Sequence, residues 1–436
     1  MGIVTCMALI LALIMMSMNI PLAFLAGAMI FSFTNGLTTG SWGSTGWFSV
    51  ESFSLLAIPL FLIAGTLMER SGIAGALVDL GQKLTDKEGK GRGLANAIPV
   101  VSGFFGALCG SGLATASTMC TMLGPRLEQK GYKKEFIYGL IACSSPFGYM
   151  IPPNMNAIIY AKVANASVAD LFMATVIPGI LWIIFYIIIN HFMVPKYFFP
   201  ESAVVSSTVA AEAKKQQSNW DLFRSLIPAI LMPVIILGGI YGGVFTATEA
   251  GAVGCLYGVI VGMCIYRTVK TRELFDIFAT AAYQMGSLQI IFPFTMIFTR
   301  IMVTNGVPGM VTSFVTGVSD SKLVIILILV AVLFVAGFFL DGNILLLVLT
   351  PLLLPTATSV GMSVIQFAVL VFVALGVGSI TPPMAMSLFL CARLGDVPVE
   401  KMVKPMIPYI VFAAVPILLL VAFIPEISEF LPSLLH

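Results

Sequence analysis

The sequence predicts an all-α integral membrane protein built from two inverted repeats, each with a re-entrant helical hairpin and a discontinuous helix. Three observations carry this. First, 59% of the 436 residues are hydrophobic and only 10% charged, against about 25% charged in soluble chains. A cytosolic enzyme is thereby excluded. Second, charge is absent from residues 1–50, 93–125, 136–161, 171–195, 225–248, 250–266, 277–299, 342–391 and 405–425, and a crossing helix needs about 20 apolar residues. Third, proline and glycine recur at matched spacings in the two halves.

Residues 1–53 hold enough apolar sequence for two scaffold helices with a turn near residues 17–21. They lack the basic start and cleavage site of a signal peptide. Residues 54–195 form the first repeat, with a hairpin near 94–125. That stretch is rich in Gly, Ser and Thr and poor for a straight crossing. Residues 196–276 hold a polar linker and connecting scaffold helices. Residues 277–425 form the second repeat, with a hairpin near 323–356. The repeats match by offset: Pro59 precedes Met68, Gly72 and Gly75 by the same spacings at which Pro293 precedes Met302, Gly306 and Gly309. The pair Pro152-Pro153 precedes Pro178 as Pro382-Pro383 precedes Pro408.

Basic residues orient the chain. With the N-terminus outside and residues 94–125 returning to the side they left, all 22 Lys and Arg except Lys162, Arg300 and Lys322 fall on the inner side. Making 94–125 a full crossing scatters them. The first-repeat helix at Pro59 then runs inward and the second-repeat helix at Pro293 outward, an inversion that recurs in secondary transporters. The net charge of +2 gives no footprint for nucleic acid. Two histidines, His191 and His436, cannot form a metal-hydrolase centre. The seven cysteines are scattered through apolar runs and read as small hydrophobes.

Irregular backbone at membrane depth survives only in a protein interior or a wet cavity. The polar residues at the hairpin tips and helix breaks are therefore the candidates. Asp341, flanked by apolar sequence, is a cation ligand or a turn-capping residue; Asn343 and Thr381 beside it would complete an oxygen set suited to sodium. Ser111, between Gly110 and Gly112, occupies the matching tip and serves a ligand or close helix packing. Thr115, Ser117 and Thr118 face the cavity or bond their own backbone. Ser144, Ser145, Asn154 and Asn156 surround the first break; they read a substrate or satisfy backbone groups freed by proline. Glu249 reads as a helix-start residue, and Arg300 as one that snorkels. There is no Walker lysine motif for ATP hydrolysis.

Several runs together resemble a known family. They are Ile58-Pro59-Leu60-Phe61-Leu62-Ile63-Ala64-Gly65, Gly110-Ser111-Gly112-Leu113-Ala114-Thr115-Ala116, Ile151-Pro152-Pro153-Asn154, Phe245-Thr246-Ala247-Thr248-Glu249-Ala250, Asp341-Gly342-Asn343 with Leu349-Thr350-Pro351, and Ile380-Thr381-Pro382-Pro383. In this order they are similar to the large membrane subunit of tripartite ATP-independent periplasmic (TRAP) transporters. The resemblance implies an elevator-type, sodium-driven secondary transporter in the bacterial inner membrane, multi-pass with a periplasmic N-terminus. Its scaffold would carry a moving domain of hairpins and broken helices. A small four-helix membrane subunit, expected as a separate chain, and a periplasmic substrate-binding protein are the implied partners. The cargo would be an organic acid such as a sialic acid or dicarboxylate. Mapped onto tips and breaks, the resemblance implies a sodium set of Gly110, Ser111, Gly148, Asp341, Asn343, Gly378 and Thr381. Asn154 departs from the family's usual Ser, and Asp341-Gly342 from the Asp-Pro of many members. The nearest rival is a stand-alone sodium/carboxylate symporter or antiporter of related fold. An intramembrane enzyme would need a nucleophile–base pair or metal cluster, which the scarcity of His opposes, and a third rival is a non-transporting scaffold subunit.

Overall fold

A computed structural model describes residues 2–71, 92–199, 219–340, 342–383 and 385–434, with the side chains of all but residues 3, 4 and 219–226. Among them there is no strand beyond an isolated bridge between Tyr132 and Phe198. Eight helical segments among the described residues are long and apolar enough to cross a membrane. This follows from the medium. Hydrocarbon offers no hydrogen bonds, so a segment that bonds its own N–H and C=O groups is the stable solution.

Two short helices open the chain, Ile3–Met15 and Ile20–Thr34, joined by a turn in which Ser17 takes φ 64°. After Thr34 comes a further short helix, Trp42–Val50, which the apolar pattern of residues 1–53 does not announce. Its Gly46 lies against Pro293 of the long helix Thr271–Thr304. No charge marks Trp42–Val50 and its apolar pattern is weak, so its docking surface rather than its own periodicity defines it.

The repeat order is then read off directly. In the first repeat Ala57–Arg70 is followed by a hairpin, Arg92–Cys109 and Gly112–Met122. A broken helix comes next, Lys134–Ser144 and Phe147–Met150 before the break and Met155–Ala164 after it. Val168–Tyr197 closes the repeat. In the second, Thr271–Thr304 leads to a hairpin of Lys322–Phe339 and a returning arm that runs from Gly342 through Thr350–Ser359. Val364–Ile380 and Met386–Gly395 form the broken helix, and Val399–Tyr409 continues through a π turn into Val415–Phe423. Even the turns correspond. Asn165 and Asp396 end the second halves of the two broken helices in left-handed conformation, with φ 52° and 50°, a region that Asn and Asp tolerate best among side-chain-bearing residues. The linker after Phe199 and the loop carrying Gly72 and Gly75 lie outside the described residues.

Hydrogen bonds establish the inversion. The Lys133 N–H donates to Tyr197 O at 3.0 Å, so the first broken helix starts where the first closing helix ends. Gly395, at the end of the second broken helix, sits on the ring of Tyr138 at that same end of the molecule. At the opposite end the Tyr160 hydroxyl donates to Val364 O at 2.8 Å, joining the finish of the first broken helix to the start of the second. The two broken helices are therefore antiparallel. The hairpins follow suit. Ala95 O accepts from Asn190 Nδ2 at 3.0 Å, close to the Tyr197 end, whereas Lys322 lies beside Gly361 at the Val364 end. Each hairpin opens toward its own face and the two tips point at each other.

Buried polar and aromatic groups lock this arrangement. Tyr186 donates to Cys143 O at 2.9 Å, and Tyr409 donates to Asn190 Oδ1. Phe147, Trp182, Tyr186 and Tyr409 meet edge to face with centroids 5.0 to 6.4 Å apart, geometry favoured by the ring quadrupoles. Glycine sets how closely backbones approach. A Cβ on Gly106 would stand 2.6 Å from Gly148 Cα and 2.7 Å from Phe147 O, where backbone cannot yield. A Cβ on Gly309, by contrast, would have nothing within 4 Å. Gly106→Ala should therefore lower stability by about 1–3 kcal/mol, the usual cost of overpacking. Gly309→Ala should be neutral or slightly stabilising; thermal melts of the purified chain in one detergent compare the two.

Candidate functional site

The tips and breaks of both repeats converge on one cavity of about 200 Å³. Gly110, Ser111 and Gly112 reach it from the first tip, and Leu340, Gly342 and Asn343 from the second. Met155 and Asn156 come from beyond the first break; Gly378, Ser379, Met386 and Ser387 flank the second.

Local chemistry explains each tip. Gly110 takes φ 61°, open to glycine without a Cβ clash, and turns the chain toward Pro153 O. Ser111 then caps the returning helix, its Oγ accepting from Ala114 N–H at 3.4 Å. Gly148 makes the fit between tip and break possible, since a Cβ there would stand 2.6 Å from Ser111 O and 2.8 Å from Gly112 Cα. Gly378 plays the same part opposite, where a Cβ would run into Gly337 O. Behind the second tip the arm passes through a π turn, Leu345–Leu349, a distortion frequent at functional sites. Thr299 of the long helix donates to Leu347 O there at 3.2 Å.

The remaining polar candidates separate by what their side chains do. Thr115 is fully buried and donates to Ser111 O at 2.8 Å, so it reinforces the tip rather than lining the cavity. Ser144 is equally buried and donates to Leu140 O at 2.8 Å. Ser117 is half-buried on the returning arm, away from the cavity lining. Thr118 donates to Glu69 Oε1 at 2.7 Å and ties that arm to Ala57–Arg70. Thr381 donates to Val377 O at 2.7 Å, and its N–H to Gly378 O. Asn154 caps the helix after the first break, its Oδ1 accepting from Ala157 N–H at 2.9 Å. Its Nδ2, and the Oγ of Ser145, are buried with no hydrogen-bond partner. Both stand at the junction of first tip and first break, because Gly110 and Gly112 lie against Asn154 Cα and Ser145 O. Asp341 lies outside the described residues. Glu249 closes a capping box with Thr246, its carboxylate accepting the Thr246 N–H at 2.8 Å.

Two lining residues escape a reading of the sequence alone. Tyr149 lays its ring over Gly112 and donates its hydroxyl to Ser379 Oγ, which in turn donates to Gly376 O at 2.8 Å. The two are separated by 230 positions. Each stands three residues before the first proline of its pair, so they are repeat equivalents bonded across the local pseudo-two-fold axis. That common offset is the signal that could have found them.

Among the described residues no Lys, Arg, Asp or Glu lines the cavity. Helices start at its wall at Gly112, Gly342, Met155 and Met386. Each N-terminus carries roughly half a positive charge, so the wall favours an anion. Among the described residues no cluster of His, Cys, Asp and Glu could hold a transition metal.

Residues 4–427 match the family model of the tripartite ATP-independent periplasmic transporter, DctM component. The sialic acid TRAP transporter large permease protein SiaM of Vibrio cholerae is 31% identical over 388 residues, 88% of this chain and 87% of that protein. The C4-dicarboxylate TRAP transporter large permease protein DctM of Pseudomonas aeruginosa is 30% identical over 385 residues, covering 88% and 87%. The crystal structure of the Alcanivorax borkumensis YdaH transporter superposes with a TM-score of 0.60 at 12% identity, over 90% of this chain and 88% of that one, a likeness of fold alone. With this match over nearly its whole length, the chain belongs to the TRAP transporter family as a large membrane subunit, a multi-pass transport protein and not an enzyme.

Proposed function

We propose that the chain moves an organic acid across the bacterial inner membrane in symport with sodium. A small four-helix membrane subunit and a periplasmic substrate-binding protein would complete the transporter, with the N-terminus periplasmic. The observation that carries the reading is the cavity itself: walls without a formal charge among the described residues, four helix N-termini and two tip–break junctions. Such a site attracts a carboxylate by dipoles, while its oxygen-rich junctions suit a hard cation. The names of two relatives, one for sialic acid and one for C4-dicarboxylates, support an organic acid as cargo.

At the first junction Ser111, Ser145 and backbone oxygens around Gly110 and Gly148 would hold one sodium ion. The orphaned Ser145 Oγ fits that role, since a buried hydroxyl without a partner is costly. Asn343, Gly378, Thr381 and Asp341 would hold a second. Bound sodium would neutralise carbonyls turned inward and tighten tip against break. By linkage, substrate and ion then raise each other's affinity by the same factor. Asn154 Nδ2 and Asn156 would donate to the acid, and Tyr149 with Ser379 would face its hydroxyl or carbonyl groups. The hairpins and broken helices, with the closing helices bonded to them, would move together as an elevator past the remaining helices.

Two variants test this in reconstituted transporter. Ser111→Ala should raise the sodium concentration for half-maximal uptake about tenfold. Loss of the helix cap alone, costing about 1 kcal/mol, would lower the melting temperature and leave sodium dependence unchanged. Tyr149→Phe keeps the ring on Gly112 and removes the bond to Ser379. Its expected signature is a three- to tenfold rise in the substrate concentration for half-maximal uptake, about 0.5–1.5 kcal/mol, at unchanged sodium dependence. An unchanged substrate response would remove Tyr149 from the site.

A further inference from the structure

A second cavity lies on the outer face of the bundle and shares no lining residue with the first. It is a groove of about 490 Å³ between the closing helices of the two repeats. Phe185, Ile188, Phe192 and Met193 form one wall, and Pro408 and Phe412 the other. Lys196 stands at its mouth. Lys404 lies one turn before Pro408 on the same face of its helix, which places a second ammonium near that end. Both lysines are exposed, and among the described residues neither has an ion-pair partner.

We propose that this groove seats one anionic phospholipid, its phosphate held by Lys196 and Lys404 and an acyl chain lying along the apolar wall. Three observations carry the assignment. The first is length: from Phe185 to Lys196 the helix rises about 16 Å at 1.5 Å per residue, against about 15 Å for half of a hydrocarbon core of about 30 Å. The groove is one leaflet deep, with its charge at the headgroup level. The second is shape. Ile188, Phe192 and Phe412 remain 51%, 65% and 67% exposed around a concavity, which an acyl chain fills and a flat helix face does not. The third is charge: lysine at the mouth and none deeper in the lining selects an anionic headgroup over a zwitterionic one.

The seat also has a structural consequence. Ile189 and Met193 line the groove from the same helix that carries Asn190, and Pro408 adjoins Tyr409. The Asn190–Tyr409 hydrogen bond joining the two repeats therefore lies immediately behind the lipid. An occupied groove holds the two closing helices at the separation that bond requires.

Native mass spectrometry of the full chain, extracted from vesicles of equal parts phosphatidylglycerol and phosphatidylcholine, tests the proposal. The wild type should retain one phosphatidylglycerol in preference to phosphatidylcholine. Lys196→Gln should lower that preference about fivefold, the weight of one lysine at a membrane surface. Ile188→Trp, which fills the groove, should abolish retention of both lipids. Equal retention of the two lipids by the wild type, or an unchanged preference in Lys196→Gln, would overturn it. So would loss of the bound lipid when the small membrane subunit is co-purified, because the groove would then be a seat for a protein helix.

Discussion

Everything in this molecule depends on one constraint: peptide groups that leave helical geometry at membrane depth must find partners inside the protein. Among the described residues of its core the chain leaves helical geometry at two hairpin tips and at two breaks that hold the double prolines. All four are gathered in one place, and each is served by another. Gly148 lets Ser111 O approach the first break, Gly337 and Gly378 meet backbone to backbone at the second, and Ser111 and Asn154 cap the helices that restart. Remove the gathering and each irregularity would be an unsatisfied group in hydrocarbon. The functional cavity is thus the place where the fold's departures from regular structure are concentrated.

Inversion is the direct way to arrange this. Two hairpins entering from the same face would bring both openings to one side and leave the breaks on one level. Entering from opposite faces, their tips meet between two antiparallel broken helices. Each post-break helix then packs beside the hairpin of the other repeat or its continuation. The Tyr149–Ser379 bond lies on the axis relating the halves, and its donor and acceptor are chemically different. The symmetry of the backbone is therefore broken at its centre by side chains, and asymmetry of that kind is what an asymmetric cargo requires.

Proline and glycine make much of this legible from residues alone. They act on the backbone directly, so Pro152-Pro153, Pro382-Pro383 and Gly110 announce breaks and a tip without tertiary context. Paired spacing reveals the repeats, and the distribution of lysine and arginine reveals the returning hairpin. Hydroxyl side chains are less informative. Thr115 and Ser144 have the same composition cues as Ser111, yet their hydroxyls return to carbonyls one turn earlier in the chain, a choice set by rotamer and burial. Tyr149 and Ser379 escape notice for the opposite reason: each looks like ordinary core sequence until the fold brings positions 230 apart together. Trp42–Val50 carries no helical signal of its own because its helicity depends on Thr271–Thr304 beneath it.

The central claim is that the cavity between the tips couples an organic acid to sodium. Uptake of labelled organic acids into proteoliposomes containing this chain with its small subunit addresses it most directly, run with and without an inward sodium gradient and with and without the binding protein. Uptake is expected only when gradient and binding protein are both present. Uptake that proceeds equally without sodium would contradict it, and uptake without the binding protein would make the chain a stand-alone carrier.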